Sequence, residues 1–215
     1  MKSRTEALRE IATRTFDVCV IGAGATGAGC ALDGQLRGLQ TALLDAGDFA
    51  SATSSASTKL AHGGVRYLQE AVTSLDLGQL KVVRQALRER AFMLQNAPHL
   101  VHPLEFVVPC FGRFELWYYG LGMKVYDWIA GEGRLAGSQV LSPSAALRHF
   151  PSLKTDHLAG AVAYQDGQFD DARYGVTLVK TFANAGGEAV NYLRVVGFEK
   201  GPNGCLLYTS PSPRD

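Results

Sequence analysis

Gly22-Ala23-Gly24-Ala25-Thr26-Gly27 sets three glycines in G-x-G-x-x-G spacing directly after an apolar run at 16–21. The chemistry this spacing serves is the binding of a dinucleotide. Gly22 permits a tight turn, Gly24 lets the backbone approach a pyrophosphate, and Gly27 lets a helix pack closely on a strand. The amides of the first helical turn, where Thr26 falls, and the positive end of the helix dipole then face the phosphates. Asp45 lies 18 residues beyond Gly27, at the end of a second apolar run. There a carboxylate can accept hydrogen bonds from a ribose diol. The stretch "ATSSASTKLAHGGVRYL", residues 52–68, comes next. It carries the hydroxyls of Thr53, Ser54, Ser55, Ser57 and Thr58, then Lys59, His62, Gly63, Gly64, Arg66 and Tyr67. A domain for NAD would move quickly to its next helix. A long track of hydroxyls and backbone amides suits the more extended FAD. The alternatives are glycines kept for packing, and hydroxyls that cap helices and form turns.

These groups need elements to hold them. Ser3 and Glu6 make an S-x-x-E capping box, predicting a helix to about Thr13. Residues 16–21, "FDVCVI", read as a buried parallel strand, followed by a Gly-rich turn, a helix ending near Gly38, and a strand at 40–45. That order is a βαβ unit. Leu80, Val83, Leu87, Ala91 and Leu94 recur at helical spacing, and Pro98 stops the helix. A strand is expected in "PLEFVVPCF", Pro-marked turns at Pro143 and Pro151, and a strand in "GAVAYQDGQFD". A helix is expected at 171–185 and a final strand in "EAVNYLRVVGFEK". The aromatic block at 111–130 is expected to pack in a core, with a membrane-interface patch as the alternative.

A net charge of +1 argues against a general nucleic-acid binder. The 47% hydrophobic and 19% charged composition is that of a soluble globular protein. No run approaches the roughly 18 apolar residues of a membrane-spanning helix. The first residues, with Glu6 and Glu10, resemble neither a secretory signal nor a transit peptide. Cys19, Cys30, Cys110 and Cys205 lack CxxC spacing and read as free thiols, Cys19 and Cys30 in apolar surroundings. The five histidines show no paired spacing, so no metal site is expected.

The string TSS-x-S-T-K-L-x-H-G-G-x-R-Y-L, with "ALRERAFMLQNAPHL", "KVYDWIAG" and "YQDGQFDDAR", resembles the N-terminal part of FAD-dependent, membrane-associated, quinone-linked glycerol-3-phosphate dehydrogenases of the mitochondrial-type branch. The likeness spans residues 3–200, and two departures are mild: Asp45 stands where that family usually has Glu, and Ala61 where it usually has Ile. The resemblance implies an α/β flavoprotein with a Rossmann-like FAD-binding domain, built on a βαβ unit with a parallel sheet, and part of a second substrate or cap domain with an antiparallel sheet. The implied organisation is a helical extension at 1–15 and an FAD-dependent domain at 16–204. Its FAD-binding core would lie at 16–75 and 155–200, with a cap segment at 76–154.

The implied reaction oxidises sn-glycerol 3-phosphate to dihydroxyacetone phosphate, with hydride passing from C2 to flavin N5 and electrons to a quinone. By the same resemblance Thr53, Ser54, Ser55 and Ser57 line the FAD phosphates and ribitol. Lys59, Leu60, His62, Gly63 and Gly64 approach the ring system, and Val195, in the late strand, contacts the adenine edge through its backbone. Arg66 faces the substrate phosphate with Tyr67 beside it. His62 is a candidate base, with a structural histidine as the alternative. The enzyme would sit peripherally on a bacterial inner membrane's cytoplasmic face, or on the mitochondrial inner membrane if eukaryotic. Residues 205–215 are turn-rich and are expected to complete no element, as a non-native tail on a truncated frame. Other functions left open are an oxidase using dioxygen, an NAD-dependent reductase and a non-catalytic flavin-binding fragment.

Overall fold

The computed structural model describes residues 2–65, 68, 76–133, 135–200 and 206–209. The chain begins with α1 (Arg4–Thr13), β1 (Val18–Ile21), α2 (Ala25–Leu36) and β2 (Thr41–Leu44). Next come β3 (Leu60–Ala61), α3 (Leu77–Asn96), β4 (Val101–Cys110), α4 (Arg113–Ala130), β5 (Gln139–Leu141), α5 (Pro143–His149) and β6 (Gly160–Phe169). It closes with α6 (Asp171–Asn184), β7 (Glu188–Val190), β8 (Gly197–Lys200) and β9 (Leu206–Thr209). Two compact units result: residues 1–58 with 170–215, and residues 59–169. These boundaries differ from the expected 75 and 155, because β3 and β6 pair with each other inside the second unit.

In the first unit β1, β2 and β7 form a parallel sheet in that order. Every residue of the central strand β2 is buried, and its side chains alternate between two cores. Ala42 and Leu44 meet Ala7 and Ile11 of α1 with Val190 and Leu193. Leu43 meets Ala28 and Ala31 of α2 with Val179 and Phe182 of α6. Strand β1 was expected to be buried but is at the edge, and Ile21 is 51% exposed. Cys19 and Cys30 are exposed rather than in apolar surroundings. The capping box forms as expected: Glu6 N–H donates to Ser3 Oγ at 3.3 Å and Ser3 N–H donates to Glu6 at 2.8 Å. Glu188 is buried in β7 because Lys2 and Arg14 neutralise it.

The run expected as one final strand breaks after β7. Tyr192 adopts φ +48°, and the Tyr192 and Leu193 amides donate to the carbonyls of Gly47 and Asp45. The chain therefore folds over the end of β2 before β8 begins. Leu206–Thr209 then pairs antiparallel with β8, so part of the tail expected to complete no element forms a strand.

The second unit is built on β6, which pairs antiparallel with β4 along its whole length. Strands β3 and β5 share its other edge. On one face Val162 packs with Val83 and Leu87 of α3 and Met123, Tyr126 and Ala130 of α4. On the other, Ala161 and Ala163 pack with Leu141 and Ala146. Pro143 opens α5 rather than a turn, capped by Ser142. The aromatic block does not pack as a unit in the core. A helix buries only one stripe, here Gly120, Met123, Tyr126 and Ala130. Phe114, Trp117 and Trp128 are exposed.

Phe182→Ala should test the first unit's core, since this ring is fully buried between helix and sheet. Urea unfolding is expected to show a loss of about 3–5 kcal/mol.

Candidate cofactor site

The first unit carries the glycine turn between β1 and α2. Gly22 sits at φ +100°, and a Cβ added there would meet nothing within 4 Å. The turn therefore needs a glycine for its backbone, and this face of it is open. Gly27 is glycine for the opposite reason: its Cβ would lie 1.8 Å from the Gly22 carbonyl oxygen. The first turn of α2 is thus pressed onto the loop. At Gly24 a Cβ would come within 2.9 Å of Ser54 Oγ.

Asp45 grips this turn. One carboxylate oxygen accepts from Ala23 N–H at 2.6 Å, and the other accepts from Gly47 N–H at 2.8 Å. Each oxygen keeps a further lone pair for a ribose hydroxyl. Ser54 Oγ accepts from Ala25 N–H at 2.8 Å, so this hydroxyl caps the start of α2 beside Gly24. Thr26 lies exposed in the same helical turn.

Thr53–Ser55 forms a single 3-10 turn, and Ser55 Oγ donates to Ala52 O at 3.2 Å. Ser57 is held elsewhere: its N–H and Oγ both donate to Asp171 Oδ2, at 2.9 and 2.8 Å. Asp171 was not singled out in the sequence. Val195 lies in the coil between β7 and β8 instead of a strand, and its side chain packs against the α1-side core.

The second unit carries Lys59 to Gly64. Lys59 adopts φ +59°, and its carbonyl accepts from Phe169 N–H. Leu60 pairs with Gln168 and Ala61 with Gly167. The turn His62-Gly63-Gly64 leaves this short strand with His62 exposed and both glycines buried. Gly63 N–H donates to Tyr126 Oη at 2.8 Å, and Gly64 N–H donates to His62 Nδ1 at 3.0 Å. No side chain fits at Gly63, where a Cβ would stand 2.5 Å from Leu87 and 2.7 Å from Tyr126 Oη. Arg66 and Tyr67 lie outside the described residues.

Sequence reasoning missed Tyr126, Asp166 and Arg90, which stand behind this turn. Two signals pointed to them. Asp166 follows Val162 and Tyr164 on one strand face, and Arg90 falls on the same helical stripe as Val83 and Leu87.

A sequence model of the FAD dependent oxidoreductase family matches residues 17–210. The chain belongs to that family. It is 53% identical over 188 residues to the mitochondrial glycerol-3-phosphate dehydrogenase of Rattus norvegicus, covering 87% of this chain and 26% of that protein. The Homo sapiens protein of the same name is 52% identical over the same span. The chain thus spans about a quarter of the length of these curated relatives. Among solved structures, the Bacillus halodurans glycerol-3-phosphate dehydrogenase complexed with FAD matches with a TM-score of 0.68 and 31% identity, over 96% of this chain and 32% of that one. The FAD-bound L-alpha-glycerophosphate oxidase of Mycoplasma pneumoniae matches in fold, with a TM-score of 0.64 at 14% identity over 92% of this chain and 50% of that one. The expected α/β flavoprotein fold is borne out, and the glycine turn fits FAD: it is closed to side chains from within and open at Gly22.

Gly27 and Gly29 share one helix but differ in surroundings, since a Cβ at Gly29 meets nothing within 4 Å. Gly27→Ala should weaken FAD binding by at least about 100-fold, roughly 2.7 kcal/mol. Gly29→Ala should leave it within a few-fold. Fluorescence titration of FAD against the two variants checks this.

Proposed function

We propose that this chain is the FAD-binding N-terminal portion of a glycerol-3-phosphate dehydrogenase. The protein would oxidise sn-glycerol 3-phosphate to dihydroxyacetone phosphate. The observation that carries this reading is the glycine turn gripped by Asp45, in a chain 53% identical over 188 residues to a named glycerol-3-phosphate dehydrogenase. FAD, when bound, supplies the two-electron acceptor for the C2 hydride. The chain's own residues bind and orient it. Gly22, Gly24, Thr26 and Gly27 offer backbone to the pyrophosphate, and Asp45 accepts from the adenosine ribose. Thr53, Ser54 and Ser55 supply polar groups along the phosphates, Ser54 while also capping α2. Ser57 contributes by fixing the end of this track to Asp171. The adenine-edge role of Val195 rests on its backbone, since its side chain is committed to packing. Lys59, Leu60, His62, Gly63 and Gly64 are assigned to the ring end, and Arg66 with Tyr67 to the substrate phosphate, all by family resemblance.

A quinone is proposed as the electron acceptor, with peripheral attachment to the inner mitochondrial membrane or to its bacterial counterpart. The mitochondrial names of the relatives support the former. Among the described residues no helix is long and apolar enough to cross a membrane.

The test is an anaerobic visible spectrum before and after addition of glycerol 3-phosphate. The 215-residue chain is expected to hold FAD that the substrate leaves oxidised. A protein extended to the relatives' length should bleach. Failure of the chain to take up flavin would contradict the cofactor assignment, and failure of the extended protein to bleach would contradict the substrate. Peroxide production in air would replace the quinone with dioxygen as acceptor.

A further inference from the structure

Arg90 and Asp166 are both 2% exposed, and the Arg90 Nη1 to Asp166 Oδ1 distance is 2.5 Å. Arg90 Nη2 also donates to Gly133 O at 2.9 Å. A pair this deep carries a large desolvation cost and is weak evidence for stability by itself. What it holds is therefore informative. The Tyr126 hydroxyl donates to the Asp166 carboxylate, at 3.1 and 3.2 Å from its two oxygens. A phenol has one proton and free lone pairs. With its proton committed to Asp166, the Tyr126 oxygen is an acceptor toward the other side, and there it takes Gly63 N–H at 2.8 Å. Burial, reinforced by the Asp166 charge, pushes the Tyr126 phenol well above its ordinary range, so it remains the protonated donor. Burial raises Asp166, while the Arg90 hydrogen bond and charge and the Tyr126 hydrogen bond pull it back.

The chain of contacts ends at a histidine. Gly63 is locked from behind by Tyr126 and by Leu87, which leaves no room for a Cβ. Gly64 follows at φ +74°, and its N–H donates to His62 Nδ1 at 3.0 Å. A neutral imidazole has one N–H and one acceptor nitrogen. With Nδ1 accepting, the ring proton is on Nε2, and Nε2 can donate a hydrogen bond but has no lone pair to take a proton.

We propose that Tyr126, backed by the Arg90–Asp166 pair, is a positioning residue that fixes the His62-Gly63-Gly64 turn so that His62 acts as a hydrogen-bond donor through Nε2–H and not as the base. The base that takes the carbinol proton is then another group. This assignment rests on the proposed function only in giving the His62 donor a ligand to face. The locked turn itself is a property of the chain without cofactor.

The experiment uses the 15N-labelled 215-residue chain without FAD, so its result is independent of flavin uptake or substrate turnover. In the wild type, His62 is expected to show an unprotonated Nδ1, a proton on Nε2 and a through-hydrogen-bond 15N–15N coupling from Gly64. The Gly63 amide should be protected from exchange. In Tyr126→Phe the exchange of Gly63 should rise at least about tenfold. The coupling should vanish, while the amides of Val162 and Ala163 in β6 keep their protection. A Gly63 exchange rate within twofold of wild type in that variant would overturn the proposal. So would a proton on His62 Nδ1 in the wild type, a result that decides the matter even if the variant does not fold.

Discussion

The carbonyl oxygen of Gly22 and the α-carbon of Gly27 approach so closely that a side chain at Gly27 would place its Cβ 1.8 Å from that oxygen. Much of the first unit depends on this contact. It presses the start of α2 onto the end of β1, and Ala28 and Ala31 of that helix pack with Leu43 and Phe182 on one face of the sheet. It also fixes the turn whose Ala23 amide Asp45 accepts. Because Asp45 directly follows β2 and its own N–H donates to Val190 O, the same residue ties the turn to the β2–β7 pair. A turn held from three sides is preorganised, and binding a ligand there costs little ordering.

The second unit solves the same problem differently. There the turn through Gly63 and Gly64, close against Leu87 of α3, is also pinned by a polar relay from α3 and β6 through α4. Register makes this work. Ala61 pairs with Gly167, so the residues just past β3 lie next to Asp166 on β6. An apolar residue at 166 would continue the face of Val162 and Tyr164, but it would leave the proton of the Tyr126 hydroxyl without an acceptor inside the core.

The glycine turn, the βαβ order, the capped first helix and the α3 stripe were legible in the sequence, because each rests on local spacing. Less was legible where a long-range partner decides. Ser57 reads as one more hydroxyl of a cofactor track, yet Asp171, far along the chain, claims both its donors. The alternating run after Glu188 reads as a strand, yet the Gly47 and Asp45 carbonyls capture its amides and break it. Residues 206–209 look like an unstructured tail until β8 offers an edge. The aromatic block reads as core by composition, while helix geometry buries one stripe and exposes Trp117 and Trp128. Tyr126, Asp166 and Arg90 are separated by tens of residues, and only the fold brings them together.

The central claim is that this chain's own backbone turns receive FAD. The most direct measurement is amide chemical-shift mapping of the labelled chain on addition of FAD. The account predicts that the largest changes fall at Gly22 to Gly27, at Asp45 to Gly47, and at Leu60 to Gly64. Changes confined to the exposed face of α4, with Gly22 to Gly27 unmoved, would contradict it.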